Sequence, residues 1–459
     1  MPATVRLFGT NGIRLVVGES LTAPFVTQVA EAIAARFEPG DPIVVGWDGR
    51  TSSVAFARIV GATLALAGHR VLEVGLLPTP AVQFNVRRLG AQLGVIVTAS
   101  HNPPEFNGLK CIAADGLEVP RSVEEAIEEG VAQRVVAAVP YPRVGAIAAD
   151  VHGGPSYVDG ILGQVDVERI RSRKFTVVLD CGNGASVPTS PVLLKQLGCR
   201  VVTLNGHVDG TFPGHLSEPT EANVKDLLRV VPASGADLGI AHDGDADRAV
   251  FVESSGRYVP GEEMLTLMAR DAVERHHGGI VVTPISASQA VEDAVTPLGG
   301  TVVYTPVGSP SVTHAMQEHH AVFGGEENGG LIFPRFQLAR DGAMSAAAVL
   351  DLLARSTAAL PDLLRSLPKY SLVKLKIDCP ADRRAPVLAR ATAALRAESD
   401  RVLTLDGVKA IFPDGWVLLR PSGTEPLFRI FAESKDPVRA QALAEHGASV
   451  VRDAIAASP

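Results

Sequence analysis

The sequence is poor in cysteine and shows no sign of secretion. Its cysteines form no CxxC pair and no regular spacing, and a disulfide framework depends on such patterns. They are Cys111, Cys181, Cys199 and Cys379. The segment Met1 to Arg6 also lacks the basic region, apolar core and cleavage site of a signal peptide. We therefore predict single thiols in a cytoplasmic protein.

Long apolar runs and an excess of positive charge are absent as well. No apolar run approaches the roughly 18 residues that span a bilayer, so we expect no membrane partner. The net charge of −8 disfavours a surface that coats nucleic acid, although a local basic pocket for a small anion is compatible with it. Neither the Walker motif GxxxxGK[ST] nor the hydrolase elbow GxSxG occurs in the chain.

What the chain does have is length and an ordinary globular composition. It contains 459 residues, of which 46% are hydrophobic and 20% are charged. A single core does not grow to this size, so we expect three or four domains of about 100 to 150 residues each.

One local unit occurs three times, about one domain length apart. A short β-branched run, suited to a strand buried on both faces, turns through Gly, Pro or Asn into small hydroxyl residues. Apolar periodic stretches such as Val54 to Ala67 and Val187 to Leu197 then predict helices. This is the start of a βαβ unit, and it predicts three α/β domains built alike. The three units begin at Pro42, Phe175 and Gly279.

The last segment has a different pattern. Tyr370 to Ile377 alternates apolar and polar residues like a half-exposed strand, and Pro386 to Ala397 predicts a helix. Asp406-Gly407 and Asp414-Gly415 indicate hairpin turns, so we predict a smaller α+β domain. The predicted domains span residues 1–152, 153–254, 255–368 and 369–459.

The sharpest chemical motif is Asp243-Gly-Asp-Ala-Asp-Arg248, which follows a predicted strand, Ala236 to Ile240. Three carboxylates at alternate positions can turn their oxygens toward one hard cation such as Mg²⁺. The alternative is a solvated acidic loop. An EF-hand is excluded because Arg248 and Ser254 stand where that motif needs Gly and Glu.

A second motif, Thr98-Ala-Ser-His-Asn-Pro-Pro104, follows the apolar run Leu93 to Val97. It places the Ser100 hydroxyl at the end of a buried strand, where open α/β sheets bind ligands. His101 is adjacent, and Lys110 follows nearby. A serine there can accept and donate a phosphoryl group when cations neutralise the charge, although a serine in a loop is more often a cap or turn residue.

Two further loops suit a phosphate and a sugar. Arg420-Pro-Ser-Gly-Thr-Glu-Pro426, with Arg429 beyond it, offers guanidinium groups, hydroxyls and a glycine backbone to an anion. Gly324-Gly-Glu-Glu-Asn-Gly-Gly330 offers Glu and Asn to vicinal hydroxyls. Taken alone, each loop is equally compatible with an ordinary polar turn.

Taken together and in this order, the motifs resemble the α-D-phosphohexomutase superfamily, which includes phosphoglucomutase, phosphomannomutase and phosphoglucosamine mutase. The resemblance covers essentially the whole chain. Phe8-Gly-Thr-Asn-Gly-Ile-Arg14 and Asp209-Gly-Thr-Phe-Pro213 also resemble family motifs. The resemblance implies three similar mixed α/β domains and a smaller C-terminal α+β domain around a central cleft, each with one loop in the site.

The resemblance also implies the role of each loop. Ser100 would carry the phosphate, and His101 and Lys110 are the candidate bases. The residues implied to hold Mg²⁺ are Ser100, Asp243, Asp245 and Asp247. Those implied to line the reacting phosphate are Arg14, Lys110 and Arg248. Those implied to bind the rest of the substrate are Gly308, Glu326, Asn328, Arg420, Ser422, Gly423, Thr424 and Arg429.

Two departures from the family pattern concern the base and the sugar. Several bacterial members carry His where this chain has Gly330, which is why Lys110 and His101 become the candidates for the base. Ser309-Pro-Ser311 also departs from the expected orientation loop. The segments Phe8 to Arg14 and Gly324 to Gly330 resemble phosphoglucosamine mutases of archaeal type most, so glucosamine phosphate is the preferred substrate, with glucose and mannose phosphates as alternatives.

The implied reaction moves phosphate within one hexose. Phospho-Ser100 would give its phosphate to a sugar monophosphate, forming a hexose 1,6-bisphosphate that turns over and returns its other phosphate. A metal-dependent sugar phosphatase and a non-catalytic sugar-phosphate binding protein are the rival hypotheses. The sequence leaves monomer and homo-oligomer both open.

Overall fold

The computed structural model describes residues 6–9, 11–356, 358–422 and 425–457. Its internal contacts divide the chain into two compact units. The first unit contains the described residues of Met1–Met264 and Glu327–Arg365, and the second those of Leu265–Glu326 and Ser366–Pro459.

The first sheet of the first unit has the strand order β1-β5-β4-β2-β3-β6. The strands β2, β3, β4 and β6 run parallel, and β5 pairs antiparallel with both β4 and β1. The inner strands are apolar and buried, as expected for strands covered on both faces. The strands are β1 (Ile13–Val16), β2 (Pro42–Trp47), β3 (Arg70–Leu76), β4 (Leu93–Val97), β5 (Phe106–Ala113) and β6 (Ile147–Ala149).

Helices complete this first α/β layer structure. They are α1 (Ala23–Arg36), α2 (Ser53–Leu66), α3 (Thr79–Arg88) and α4 (Arg121–Gln133), with a 3₁₀ turn at Tyr141–Arg143. The Thr22 hydroxyl accepts a hydrogen bond from the Phe25 amide at 3.4 Å and so caps α1. The apolar faces of the helices and strands form one core that includes Val45, Val95 and Ile127.

The second sheet has the order β11-β10-β9-β7-β8, in which β7, β8 and β9 are parallel and β10 is antiparallel to β9. The antiparallel pair matters for the site because a short turn, Asp243 to Arg248, joins β9 to β10. The elements are α5 (Gly153–Leu162), α6 (Val167–Arg173), β7 (Thr176–Asp180), α7 (Ser190–Gln196), β8 (Arg200–Leu204), α8 (Lys225–Ala233), β9 (Leu238–His242), β10 (Ala249–Glu253) and β11 (Tyr258–Val259).

The third segment of the chain contains three parallel strands in the order β13-β12-β14. The Ser288 hydroxyl caps its helix α10 by accepting from the Ala290 amide at 3.0 Å. The elements are α9 (Gly261–His276), β12 (Gly279–Pro284), α10 (Gln289–Val295), a 3₁₀ turn at Thr296–Leu298, β13 (Gly300–Thr305), α11 (Ser309–Glu318), β14 (Phe323–Gly325), β15 (Leu331–Ile332), α12 (Gly342–Arg355) and α13 (Leu360–Arg365).

The C-terminal sheet is antiparallel throughout, with the order β16-β20-β19-β18-β17. Its apolar face packs on two helices around Val417, Phe428 and Leu443. The elements are β16 (Ser371–Asp378), a 3₁₀ turn at Ala381–Arg383, α14 (Arg384–Glu398), β17 (Arg401–Leu403), β18 (Val408–Phe412), β19 (Gly415–Pro421), β20 (Leu427–Ser434) and α15 (Pro437–Ala456).

The predicted fold class is confirmed: three mixed α/β domains are followed by a C-terminal α+β domain. The exact positions given for the domain boundaries stay a prediction. All four cysteines are free and buried. Among the described residues, no helix combines the length and the apolar character needed to cross a bilayer.

Candidate active site

The Ser100 loop leaves β4 in a constrained backbone conformation. Ser100 is buried and has φ 52°, in the left-handed region that residues other than glycine seldom adopt. Its amide donates to the Thr98 hydroxyl at 2.9 Å, and that hydroxyl donates to Asp48 Oδ2 at 2.6 Å. Such conformations are concentrated at functional sites, where the surroundings hold them in place.

Arg50 supplies most of that support. It is buried, and its Nε donates to Asp48 Oδ2 at 3.2 Å. Its Nη atoms donate to carbonyl oxygens around the whole loop. These acceptors are Ser100 O at 2.8 Å, Asn102 O at 2.6 Å, Pro103 O at 2.6 Å and Phe106 O at 2.8 Å. The planar guanidinium thus fixes the loop that presents the serine.

The turn between β9 and β10 collects three carboxylates beside this serine. Asp243, Asp245 and Asp247 are buried, and one ligand atom from each lies within 4.8 Å of the others. Ala246 adopts φ 56°, which lets the short turn bring them to one side. Ser100 Oγ donates to Asp243 Oδ2 at 3.2 Å. The structure therefore brings together all four residues predicted to surround a metal.

Asp245 and Asp247 each have one oxygen held by a cationic side chain. Lys110 Nζ, on β5, lies 2.8 Å from Asp245 Oδ2 and 3.6 Å from Asp247 Oδ2. The Thr79 hydroxyl donates to the same Asp245 oxygen at 2.7 Å. Arg340 Nη2 donates to Asp247 Oδ2 at 2.5 Å. The remaining oxygens, Asp245 Oδ1 and Asp247 Oδ1, are buried and have no hydrogen-bond partner.

Those two oxygens test whether a cation fits the cluster. A buried acceptor without a partner is rare because it costs about 1–3 kcal/mol. Two such acceptors on carboxylates that converge within 4.8 Å match the oxygen donor set that hard divalent cations prefer. The residues present therefore fit a metal ion such as Mg²⁺.

The electrostatics point the same way. Burial, followed by the charges of Asp247 and Asp245, raises the pKa of Asp243 well above its usual range, against the cations Arg248 and Arg340. Burial would also raise the pKa of Asp245, but the Lys110 ion pair lowers it overall. Asp243 thus lies too close to two other carboxylates to ionise readily, and a cation bound among the three would favour its ionised form.

The other predicted residues of the first unit lie around the serine. Arg14, on β1, donates from Nη1 to Asn102 Oδ1 at 2.9 Å. Arg248 Nη2 lies 3.1 Å from His101 Nδ1, which is 3.4 Å from Ser100 Oγ. Burial, Arg248 and Arg14 lower the pKa of His101 to about 2. His101 is therefore neutral, and the cations leave this loop electropositive.

In the second unit, the two predicted arginines of the phosphate loop are neighbours. Arg420 on β19 and Arg429 on β20 are directly paired residues of adjacent strands. Each has an acidic partner: Arg420 Nε donates to Asp406 Oδ2 at 2.6 Å, and Arg429 Nη2 donates to Glu425 Oε2 at 2.7 Å. Two cations on one face of a sheet form a local attraction for an anion.

The remaining predicted residues are distributed over both units. Ser422 Oγ accepts from the Glu425 amide at 3.2 Å, whereas Gly423 and Thr424 lie outside the described residues. Glu326 is buried in the second unit. Gly308, with φ 125°, comes immediately before α11. Asn328 belongs to the first unit, where its Oδ1 accepts from the Gly330 amide at 3.1 Å.

Three residues of the first unit's site have no counterpart in the sequence prediction: Arg50, Thr79 and Arg340. Arg50 and Thr79 follow the carboxyl ends of β2 and β3, the edge at which β4 presents Ser100, so strand-end position could have indicated them. Arg340 lies far from Asp247 along the chain, and no spacing rule connects the two.

Comparison with known proteins places the whole chain in one family. The four domain descriptions of phosphoglucomutase/phosphomannomutase match in order. Alpha/beta/alpha domains I, II and III match residues 5–135, 155–256 and 260–370, and the C-terminal domain matches residues 372–449.

Individual relatives agree over nearly their full length. A phosphoglucomutase/phosphomannomutase of Thermococcus kodakarensis is 38% identical, covering 98% of this chain and 99% of the relative. A probable phosphoglucosamine mutase of Methanopyrus kandleri is 39% identical, covering 97% and 98%. The crystal structure of a phosphoglucomutase/phosphomannomutase family protein from Burkholderia thailandensis superimposes with a TM-score of 0.87 at 26% identity, covering 98% of both chains. The chain therefore belongs to the phosphoglucomutase/phosphomannomutase family.

Proposed function

We propose that this phosphohexomutase interconverts glucosamine 6-phosphate and glucosamine 1-phosphate through a phosphoserine at Ser100 and a hexose 1,6-bisphosphate. The observation that carries the proposal is the position of Ser100 Oγ, 3.2 Å from Asp243 in a buried cluster of carboxylates and cations. Phosphoryl transfer depends mainly on positioning and on neutralising negative charge, and this site supplies both.

The reaction has two transfers that balance each other. In the first, the bond from Ser100 Oγ to phosphorus breaks as the free hydroxyl of the sugar monophosphate bonds to that phosphorus. The proton of that hydroxyl goes, on balance, to the departing Ser100 oxygen, and the second transfer returns it to the sugar. The bisphosphate then reverses its orientation. In the second, Ser100 Oγ takes the other phosphoryl group, which releases the isomeric monophosphate and restores the enzyme.

Asp243, Asp245 and Asp247 would hold Mg²⁺ with an oxygen of the Ser100 phosphate. A bound Mg²⁺ supplies charge neutralisation at the transferring group. Arg14, Arg248 and Lys110 would contact the same phosphate, since they surround the serine loop and the cluster. Exclusion of water would protect the phosphoserine from hydrolysis, and the burial of Ser100 supports this.

The two candidate bases fit contact with the phosphoryl group better than proton abstraction. Lys110 is committed to an ion pair with Asp245 at 2.8 Å. His101, with a pKa of about 2, accepts a proton only weakly. A loose transition state requires little help from a base. We therefore assign both residues to contacts with the phosphoryl group, through which they remain catalytic.

Residues of the second unit, together with Asn328 of the first, would bind the rest of the substrate. Arg420, Ser422 and Arg429 would hold the phosphate that is not reacting, in either orientation of the bisphosphate, together with Gly423 and Thr424. Glu326, Asn328 and Gly308 would contact the sugar. The name of the Methanopyrus relative supports glucosamine phosphate, and that of the Thermococcus relative supports glucose and mannose phosphates as alternatives. A panel of hexose 1-phosphates assayed for conversion to 6-phosphates ranks these sugars.

The test of the phosphoserine is Ser100→Ala. We expect loss of mutase activity with unchanged thermal unfolding, and loss of one phosphate by intact-mass analysis. Ser172→Ala, at an exposed serine of α6, is the matched control and should keep both the mutase activity and the phosphate. Stimulation of the wild type by a hexose 1,6-bisphosphate distinguishes a mutase from a phosphatase. Near-normal activity of Ser100→Ala would refute the assignment.

A further inference from the structure

The Arg340 side chain fills the space beside Gly330 in which a larger residue would place its Cβ atom. A Cβ atom added to Gly330 would lie 2.4 Å from Arg340 Cδ, a separation that real Cβ atoms essentially never show, and 3.1 Å from both Arg340 Cγ and Asn328 Oδ1. Gly330 does not have the positive φ that would favour glycine. The absence of a side chain at this position is therefore explained by the Arg340 stem, which fills the space.

The local backbone keeps these two positions together. Arg340 forms an antiparallel bridge with Ile332, and the Asp341 amide donates to the Leu331 carbonyl at 3.1 Å. The Asp341 carboxylate then caps α12 by accepting from the Met344 amide at 2.9 Å. Arg340 thus leaves a well-anchored turn.

The stem leads the guanidinium to one oxygen of Asp247. Nη2 donates to Oδ2 at 2.5 Å, and both side chains are buried, with 6% and 3% exposure. The other oxygen, Oδ1, has no hydrogen-bond partner, and Arg248 Nε is 3.8 Å from it. Lys110 and Thr79 hold Asp245 in the same manner, with its Oδ1 again unpartnered.

We propose that Arg340 is a positioning residue of the metal site: it holds Oδ2 of Asp247 so that Oδ1 faces the cation, and it depends on Gly330 for its place. The inference rests on the proposed role of the carboxylate cluster in metal binding. Mutating a residue that orients a metal ligand by a hydrogen bond commonly lowers metal affinity by about 10- to 100-fold.

The sign of the effect separates this proposal from simple electrostatics. If Arg340 acted only as a nearby positive charge, removing it would tighten cation binding by relieving repulsion. If it orients Asp247, removing it weakens binding, since the carboxylate gains freedom to turn. We therefore expect the Mn²⁺ affinity of Arg340→Ala to be at least about tenfold lower than that of the wild type. The affinity of Arg340→Lys should lie between those of Arg340→Ala and the wild type.

The experiment measures Mn²⁺ binding to the full chain by electron paramagnetic resonance and by calorimetry, without sugar or turnover. Gly330→Ala keeps Arg340 but displaces its stem, so its Mn²⁺ affinity should also fall. In the Arg340→Ala background the same Gly330→Ala change should have little further effect. Gly163→Ala is the control, because its Cβ would meet its nearest neighbour at 3.5 Å.

Each outcome decides a different question. Failure of the wild type to bind Mn²⁺ would refute the proposed metal role of the cluster itself. Wild-type binding with equal or tighter binding by Arg340→Ala would overturn only the positioning role. If Arg340→Ala does not fold, Gly330→Ala decides: unchanged affinity with the fold retained would overturn the proposal, and weakened affinity would support it.

Discussion

Replacing Arg50 by lysine would keep the charge of this residue but not its geometry. The guanidinium makes five contacts, one to Asp48 and four to carbonyl oxygens of the Ser100 loop. A lysine ammonium has three donors, so at least two of the five contacts would be lost, although Asp48 Oδ2, Asn102 O and Pro103 O each keep a second donor. At about 1.5–3 kcal/mol for each lost hydrogen bond to a charged group, the cost is on the order of 3–6 kcal/mol.

That cost is large enough to open the loop, because the left-handed backbone at Ser100 also has to be held in place. Displacing a nucleophile by about 1 Å can reduce turnover roughly a hundredfold. We therefore expect Arg50→Lys to lower kcat by about this factor and to speed hydrogen exchange in Thr98 to Pro104. Urea unfolding should show the loss in stability.

Arg58→Lys is the matched control for this prediction. Arg58 lies on the neighbouring helix α2, its side chain is 62% exposed, and its partner is Glu73 at 2.7 Å. Lysine keeps the positive charge beside the buried Glu73 carboxylate, and substitutions at exposed positions usually cost little, so this variant should stay within about 0.5 kcal/mol of the wild type. Wild-type turnover and exchange in Arg50→Lys would show that the loop does not depend on the guanidinium.

Further predictions concern the metal, the two substrate loops and pH. Asp245→Asn should raise the Mg²⁺ concentration needed for half-maximal activity and slow transfer; an unchanged requirement and rate would contradict the metal role. Arg429→Ala should lower kcat/KM about thirtyfold, the equivalent of about 2 kcal/mol, for glucosamine, glucose and mannose phosphates alike. Glu326→Gln should instead change their ranking, and the reverse pattern would exchange the two loops. Asp180, 3.3 Å away, raises the pKa of His215 against the effect of burial. A raised histidine pKa stabilises the fold below about pH 6.5, and the gain is lost as pH rises through the folded pKa. His215→Gln should therefore lower stability at pH 6 and less so at pH 9, as measured by urea unfolding; an equal loss at both values would contradict it.

The buried strands were the part of the fold most accessible from sequence. The run Leu93 to Val97 was predicted with the bounds that β4 has, because a strand covered on both faces is apolar from end to end. The half-exposed strand at Tyr370 to Ile377 was found within one residue of β16. The expected Ala236 to Ile240 corresponds to β9, two residues later.

The helix predicted at Val187 to Leu197 was partly wrong. Only Ser190–Gln196 is helical, as α7. The residues before it form a loop in which Asn183 has φ 54° and the Ala185 amide donates to the Gly244 carbonyl at 2.9 Å. This contact with the turn Asp243 to Arg248 comes from the tertiary structure, which overrode the local apolar period.

The site itself was predictable where chemistry and chain proximity coincide. Three aspartates in one turn and a serine at a strand end are visible in the sequence. Arg340 is not, because its link to Asp247 is a contact between distant segments, and its place depends on a missing side chain at Gly330. In the sequence alone, a glycine at position 330 suggests only a flexible loop. The structure shows that the Arg340 side chain fills the space that a Cβ atom would need.

The charges of the first unit's site fit the proposed doubly charged phosphoserine, although the protein as a whole is acidic. Three carboxylates lie near four cationic side chains, which are Arg14, Lys110, Arg248 and Arg340. Ionised together, these groups leave the site about one charge positive, although the chain carries −8. A divalent cation raises that excess to about three, and a phosphoserine of about −2 reduces it to about one. The carboxylates would thus hold a metal ion without cancelling the attraction for phosphate, because Asp245 and Asp247 each have their own cation. Removing Lys110 or Arg340 would shift this balance toward repulsion of the phosphate, which is why the cations belong to the site as much as the metal ligands do.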